Sequence, residues 1–345
     1  MTASIDRYLR GVGPVGTGRI GETVDLELQD AYLADDTMPS QRGRLAIDDD
    51  FTRFPQFAVS LGLLRRDSFS PLVRGHTFVR LLGDLEMSAF RSYQASCNPL
   101  LLTDSQVLLL LYCLLEKDLD VLPALAKGLL ALPTPFNDSQ AGDLLPGVIE
   151  QAVARLKPRT LAASDIARLH QLSETAKAIA QRKGGRFGKT VREQTITPRL
   201  EAFVDLKILS KPNPLAYEYA LTTKGRTFLE DLGRSKEPES FIATGYVGAA
   251  SSLTAMKTSK IDSESRVLEL CHEAWKELAS GLGYAPITDT ALLGTIRALE
   301  AGHGYFESSV AQAAMKSAQH LSPPLVRLNV DRWGRITVVK FLKAP

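Results

Sequence analysis

The densest group of side chains able to do chemistry in this sequence is cationic. Between residues 182 and 199 stand Arg182, Lys183, Arg186, Lys189, Arg192 and Arg199 against the lone carboxylate of Glu193, a local net charge of +5. Gly184, Gly185 and Gly188 lie among them. Flexible cations beside backbone N–H groups at a helix start suit phosphate oxygens. Gln194, Thr195, Thr197 and Arg199 follow at the entrance of a predicted helix, where such side chains would reach base edges. A second group lies near residue 330, where Arg327, Arg332, Arg335, Lys340 and Lys343 outnumber Asp331. Arg332 and Arg335 bracket Trp333-Gly334, and a Trp at a hairpin tip stacks on a base or sugar, packs on a partner or covers its own core. A solvated basic loop is the plainer account of residues 182–199; the adjoining helix favours phosphate. The chain carries only +2 overall, so any polyanion contact has to come from such patches.

Other candidate chemistry is weaker. Gly11, Gly13 and Gly16 satisfy Gly-x-Gly-x-x-Gly, but only ten residues precede them and no βαβ pattern follows. Arg19-Ile20 stands where a phosphate loop needs Lys and Ser or Thr, so a nucleotide site is not expected. Residues 22–50 are acidic and end in Asp48-Asp49-Asp50, which reads as a solvated face or an interaction surface before a helix N-terminus. The five His residues are scattered, and adjacent Cys271 and His272 point to different faces of one predicted helix. Glu201, Asp205 and Lys207 are expected to be surface charges. Cys97, Cys113 and Cys271 form no metal motif and fit a reducing compartment. No catalytic residue, metal or cofactor is expected, and the chain is read as a non-enzyme.

The elements that must position the basic residues follow from periodicity. Residues 196–232 read ITPRLEAFVDLKILSKPNPLAYEYALTTKGRTFLEDL. Thr197 suits an N-cap and Pro198 the first helical position, with Leu200, Phe203, Val204 and Leu206 on one face. Ile208-Leu209 leaves in extended form, Pro212-Asn213-Pro214 turns the chain, and residues 217–221 return as a strand. Thr222 or Thr223 then caps a helix bearing Phe228, Leu229 and Leu232. Residues 54–82 repeat this pattern: Gly62-Leu63-Leu64 falls on Lys207-Ile208-Leu209, and Gly75, Thr77, Phe78, Val79 and Leu82 fall on Gly225, Thr227, Phe228, Leu229 and Leu232. Between the copies, helices are predicted over 85–98, 105–116 (capped by Thr103-Asp104 and apolar on every side), 120–130, 145–156 and 164–182. Residues 241–260 are rich in Ala, Ser, Thr and Gly and read as a linker or a loose surface segment. Beyond them come a helix capped by Ser263, helices over 289–300 and 307–320, and strands 325–330 and 335–341 around a turn needing positive φ at Gly334.

The order helix, strand, wing, strand, helix, with its LTTKGRTFLEDL ending, resembles the winged-helix DNA-binding superfamily. The resemblance implies two tandem winged-helix modules, a recognition helix near 197–206 and double-stranded DNA as partner. The fold class expected is α+β, mostly helical, with a helical middle and a C-terminal helical domain ending in a β-hairpin that is itself winged-helix-like. The domains expected are 1–98 (arm and first module), 99–240 (helices and second module), a linker at 241–261, and 262–345. The function expected is DNA binding, as an accessory subunit of a larger DNA-processing or defence complex. Tandem winged helices also resemble kleisins and kleisin-interacting subunits of SMC-type complexes. That alternative implies an architectural role through a protein partner or self-association. The sequence has no apolar run long enough for a membrane span and no secretory leader pattern, so a cytoplasmic location is expected.

Overall fold

Ile196, Leu200, Phe203 and Leu206 recur at helical spacing and are all buried, which fixes how the helix beside the basic segment packs. The computed structural model describes residues 58–59, 61–65, 71–81, 102–119, 121–156, 163–181, 196–212, 218–235, 237–256, 259–332 and 334–345. The described chain is mostly helical with two small antiparallel sheets. It divides into one unit of Leu114–Ile242 and another of Met1–Cys113 with Ala243–Pro345. The division falls at 113/114 and 242/243, the second lying two residues from the expected boundary at 240/241 and the first inside the expected 99–240 domain.

In chain order the elements are α1 (Val73–Arg80), α2 (Asp104–Lys117), α3 (Leu122–Ala131), β1 (Phe136–Asn137), α4 (Asp138–Gly142), α5 (Leu145–Leu156) and α6 (Ala163–Ala180). They continue as α7 (Thr197–Asp205), β2 (Leu209–Ser210), β3 (Glu218–Leu221), α8 (Thr223–Arg234), α9 (Pro238–Thr244) and α10 (Tyr246–Ser251). The last are α11 (Glu264–Leu278), β4 (Ala285–Pro286), α12 (Ile287–Glu300), α13 (Ser308–Gln319), β5 (Val326–Val330) and β6 (Ile336–Phe341).

In the 114–242 unit, Asn137 and Gln140 form a reciprocal capping box at the start of α4. β3 pairs with both β1 and β2, giving the order β1-β3-β2, and Phe136 of β1 stacks on Tyr219 of β3 with ring centroids 6.0 Å apart. α8 packs on α3 by burying Phe228, Leu229 and Leu232. Thr222, rather than Thr223, caps α8 by accepting from Gly225 N at 2.8 Å. Ile196 occupies the cap position of α7 without a side-chain bond, and Thr197 and Pro198 are its first two residues. α7 therefore starts one residue earlier than expected.

The other unit is built on α11, α12 and α13, whose core includes Val267, Cys271, Ala291, Phe306, Met315, Val326 and Val339. Its sheet has the order β4-β6-β5. In both sheets the strand that comes first in the chain lies at an edge and the one that comes last lies in the centre. Gly334 has φ +80 at the hairpin turn, as the sequence requires. Thr103 and Gln106 cap α2 reciprocally at 3.1 Å, and residues 107–113 of α2 are all buried. Arg74 of α1 donates to Asp289 of α12 at 2.8 Å.

The expected linker is not one. Residues 246–251 form α10 with Tyr246, Val247, Ala250 and Ser251 buried. Tyr246 donates to the carbonyl of Leu108 and meets Tyr112 edge-on. Glu307 accepts from Val247 N at 3.1 Å and Gly248 N at 2.9 Å. A Cβ at Gly248 would stand 2.7 Å from the Tyr305 hydroxyl. The small residues that make this stretch resemble a linker allow close approach instead.

The two segments matched in the sequence share a backbone turn. Gly62 and Lys207 both have left-handed φ, +73 and +63. Leu63 N donates to Ala58 O and Ile208 N to Phe203 O, each at 2.9 Å. Leu72 N donates back to Leu63 O as Thr222 N does to Ile208 O. Gly75 and Gly225 each lie in the first turn of the following helix.

Candidate nucleic-acid interface

α13 carries no acidic residue, and its buried side, Ala311, Ala314, Met315 and Ala318, is set at helical spacing. The opposite side leaves Ala313, Lys316, Ser317 and Gln319 exposed, with Gln312 half-buried and donating to Ser308 Oγ at 3.3 Å. α13 packs against β5, and β5 pairs with β6 from Val326–Phe341 to Val330–Ile336, with an irregularity between Asn329 and Val330. At the turn, Asp331 accepts from Arg335 N at 2.9 Å and from Arg335 Nε at 3.1 Å. This arrangement leaves the Arg335 side chain 72% exposed. Arg327, Arg332 and Lys343 are exposed as well. Lys340 donates to the carbonyl of Leu282 at 3.1 Å and lies over the Tyr284 ring.

From residue 308 to 345 six Lys and Arg face one acid, Asp331, a net charge of +5. Glu307, immediately before, is buried where it accepts from α10, and that burial raises its carboxyl above the usual range. The sequence reading does not single out Lys316, Gln312 or Gln319; a charge count carried upstream from the hairpin finds the first. Arg332 and Arg335 lie at the hairpin turn where the sequence puts them. Trp333 lies outside the described residues.

No protein-family model matches the chain, and no curated protein or solved structure matches it either.

Of the other predicted residues, Arg182, Lys183, Arg186, Lys189, Arg192, Gln194 and Thr195 lie outside the described residues, as do Gly11 to Gly16 and the acidic stretch at 22–50. Thr197 is half-buried in the first turn of α7. Arg199, expected to reach base edges, is paired inside its own unit. Its Nε donates to Asp118 Oδ2 at 2.6 Å and its Nη2 to Asp118 Oδ1 at 3.0 Å, a two-point pair within one unit. Glu201 is likewise engaged and is no simple surface charge: it accepts from Tyr219 Oη at 2.7 Å and pairs with Lys211 at 2.5 Å. Arg199 and Glu201 thus hold α7 to its own unit. An Arg199→Ala variant is expected to lose about 1–3 kcal/mol of stability, since a two-point charged hydrogen bond is removed and Asp118 is left partly buried. Urea unfolding measures this, and duplex affinity should stay unchanged once the variant is folded.

Cys271 and His272 form no reactive pair. Cys271 is fully buried, and burial pushes its thiol up to about 12. His272 stacks on Trp275 at 5.6 Å and leans on Phe341, and burial lowers its pKa. Cys271 is therefore expected to resist thiol reagents in the native protein at pH 8 and to react only after unfolding, as native and denatured mass-spectrometric labelling will show. Since its folded pKa is raised above the ordinary thiol value of 9.0, its contribution to stability is intact below pH 9 and declines as pH rises from there towards 12. Among the described residues no group of His, Cys, Asp and Glu is placed to hold a metal ion, and no helix is long and apolar enough to cross a membrane.

Proposed function

We propose that the chain is a non-enzymatic double-stranded-DNA-binding protein built from winged-helix modules. In this reading α13 and the β5–β6 hairpin form one contact surface and the basic segment 182–199 a second. The observation that carries the reading is the 308–341 arrangement: a helix without carboxylates, followed by a hairpin whose turn exposes Arg332 and Arg335. Further support comes from the element order. Helix, short strand, helix, helix, strand, strand runs from α11 to β6, with the last strand central. The sheet β1-β3-β2 repeats that strand order. Phosphate contacts from Lys316, Arg327, Arg332 and Arg335 would position the protein, and Gln312 or Gln319 would supply what base reading there is. This moves the reading helix from α7, expected from the sequence, to α13.

The test is titration of a random-sequence duplex at two salt concentrations beside a selection from randomised duplexes and the composition of a pull-down. Binding that weakens steeply with salt supports the reading. No duplex binding, together with a stoichiometric protein partner, would overturn it in favour of an architectural subunit.

A further inference from the structure

We infer that α13 reads A·T pairs, with Gln312 on adenine and Ala313 on the thymine methyl. This rests on the DNA-binding reading above and goes on to name the bases. Three observations lead to it. The first is the inventory of side chains. α13 carries neither an arginine nor a carboxylate. It therefore lacks the bidentate guanidinium that suits guanine O6 and N7, and the acceptor that suits the cytosine N4 amine. Lys316 is its one Lys or Arg and serves phosphate in this reading. Gln312, Ala313, Ser317 and Gln319 make up the rest of its outward side. A glutamine amide pairs with adenine N6 and N7, and an alanine methyl packs on the thymine methyl.

The second is placement on a single helix. Ala311, Ala314, Met315 and Ala318 are buried. At 3.6 residues per turn, Ser309, Ala313 and Lys316 lie opposite them, and Gln312 and Gln319 run together along one flank. Ser309, Ala313 and Ser317 are short, so the helix can sit deep in a major groove about 12 Å wide. A glutamine needs that close approach to reach a base edge.

The third is the set of the Gln312 amide. Its Nε2 donates to Ser308 Oγ at 3.3 Å, one turn back along α13. That bond takes one of the two N–H groups and orients the amide plane. The second N–H and Oε1 are the donor and acceptor that adenine N7 and N6 require. Ser308 is thus a positioning residue: it orders the glutamine before binding, so less side-chain freedom is lost on contact.

The test uses the full chain in a selection from randomised duplexes, followed by titration of the selected site. The parent is expected to enrich a site containing A·T pairs. Gln312→Ala should weaken binding to that site about 5–150-fold and leave random duplex unchanged. An adenine analogue with carbon in place of N7 should weaken binding of the parent at one position and have no further effect on Gln312→Ala. Deoxyuridine in place of thymidine removes the methyl group and should weaken the parent at the same or an adjacent pair. Ser308→Ala should lower the preference for the selected site with random-duplex affinity unchanged. A selected site of G·C pairs, or an analogue effect that persists in Gln312→Ala, overturns the inference. Duplex binding with no enriched sequence overturns it too and leaves the DNA-binding reading standing. Absence of duplex binding sinks that reading and the inference with it.

Discussion

Replacing Gly225 by alanine is expected to destabilise the 114–242 unit by about 2 kcal/mol, the difference between a clash and a gain in helix propensity. A Cβ there would lie 2.0 Å from Ile208 O and 2.6 Å from Ile208 C, both backbone atoms at the left-handed turn that carries Lys207. Neither can rotate aside, so the turn and the first turn of α8 must separate, which costs about 3 kcal/mol. The helix propensity of alanine over glycine offsets about 1 kcal/mol of this. The clash wins. Gly233, in the same helix, gives the opposite result: its Cβ would meet only the Lys127 side chain at 3.4 Å. Gly233→Ala is therefore expected to stabilise by up to about 1 kcal/mol. Urea denaturation of the two variants beside the parent decides the matter, and equal shifts of one sign would refute the packing described. Gly75→Ala should follow Gly225→Ala, since its Cβ would stand 2.3 Å from Leu63 O.

The second large effect is on duplex binding. Lys316, Arg332 and Arg335 are exposed, so changing all three to alanine should leave the fold intact. If each contacts one phosphate, the slope of log affinity against log salt should fall by about 3 in magnitude. Near ~0.1 M salt this corresponds to an affinity loss of about 10²–10³-fold. A parallel variant with Arg186, Lys189 and Arg192 changed to alanine measures the share of the 182–199 segment in the same units. An unchanged slope in the first variant, with a native circular dichroism spectrum, would remove α13 and the hairpin from the interface.

Much of the local structure follows from the sequence because its causes are local. The helix over 145–156, the Ser263 cap and the hairpin turn at Gly334 depend on side-chain period, capping oxygens and φ sign, each readable within a few residues. The match between 58–80 and 203–230 is legible for the same reason, since one left-handed residue and one helix glycine specify the turn. Residues 241–260 mislead because small residues mark both linkers and tight packing. Hydropathy alone does not separate the two; the approach of Tyr305 and Glu307 to Gly248 does.

The basic residues divide along the same line. Their number and clustering are properties of the sequence, and so is the +5 of residues 308–345. Which of them face solvent is not. Arg199 has the type and position of a base reader, yet Asp118, 81 residues away, engages two nitrogens of its guanidinium. Lys316 lies in a plain run of Ala, Ser and Gln, and it becomes a candidate contact because Ala311, Ala314, Met315 and Ala318 turn the other side of α13 into the core. By itself the sequence determined helices such as α5 and α11, the turn at Gly334 and the supply of charge, since these rest on neighbours within one or two turns. Only the tertiary structure decided that Arg199 is paired inside its unit while Lys316 remains on the surface, since Asp118 stands 81 residues from Arg199 and folding, not chain proximity, brings the two within about 3 Å.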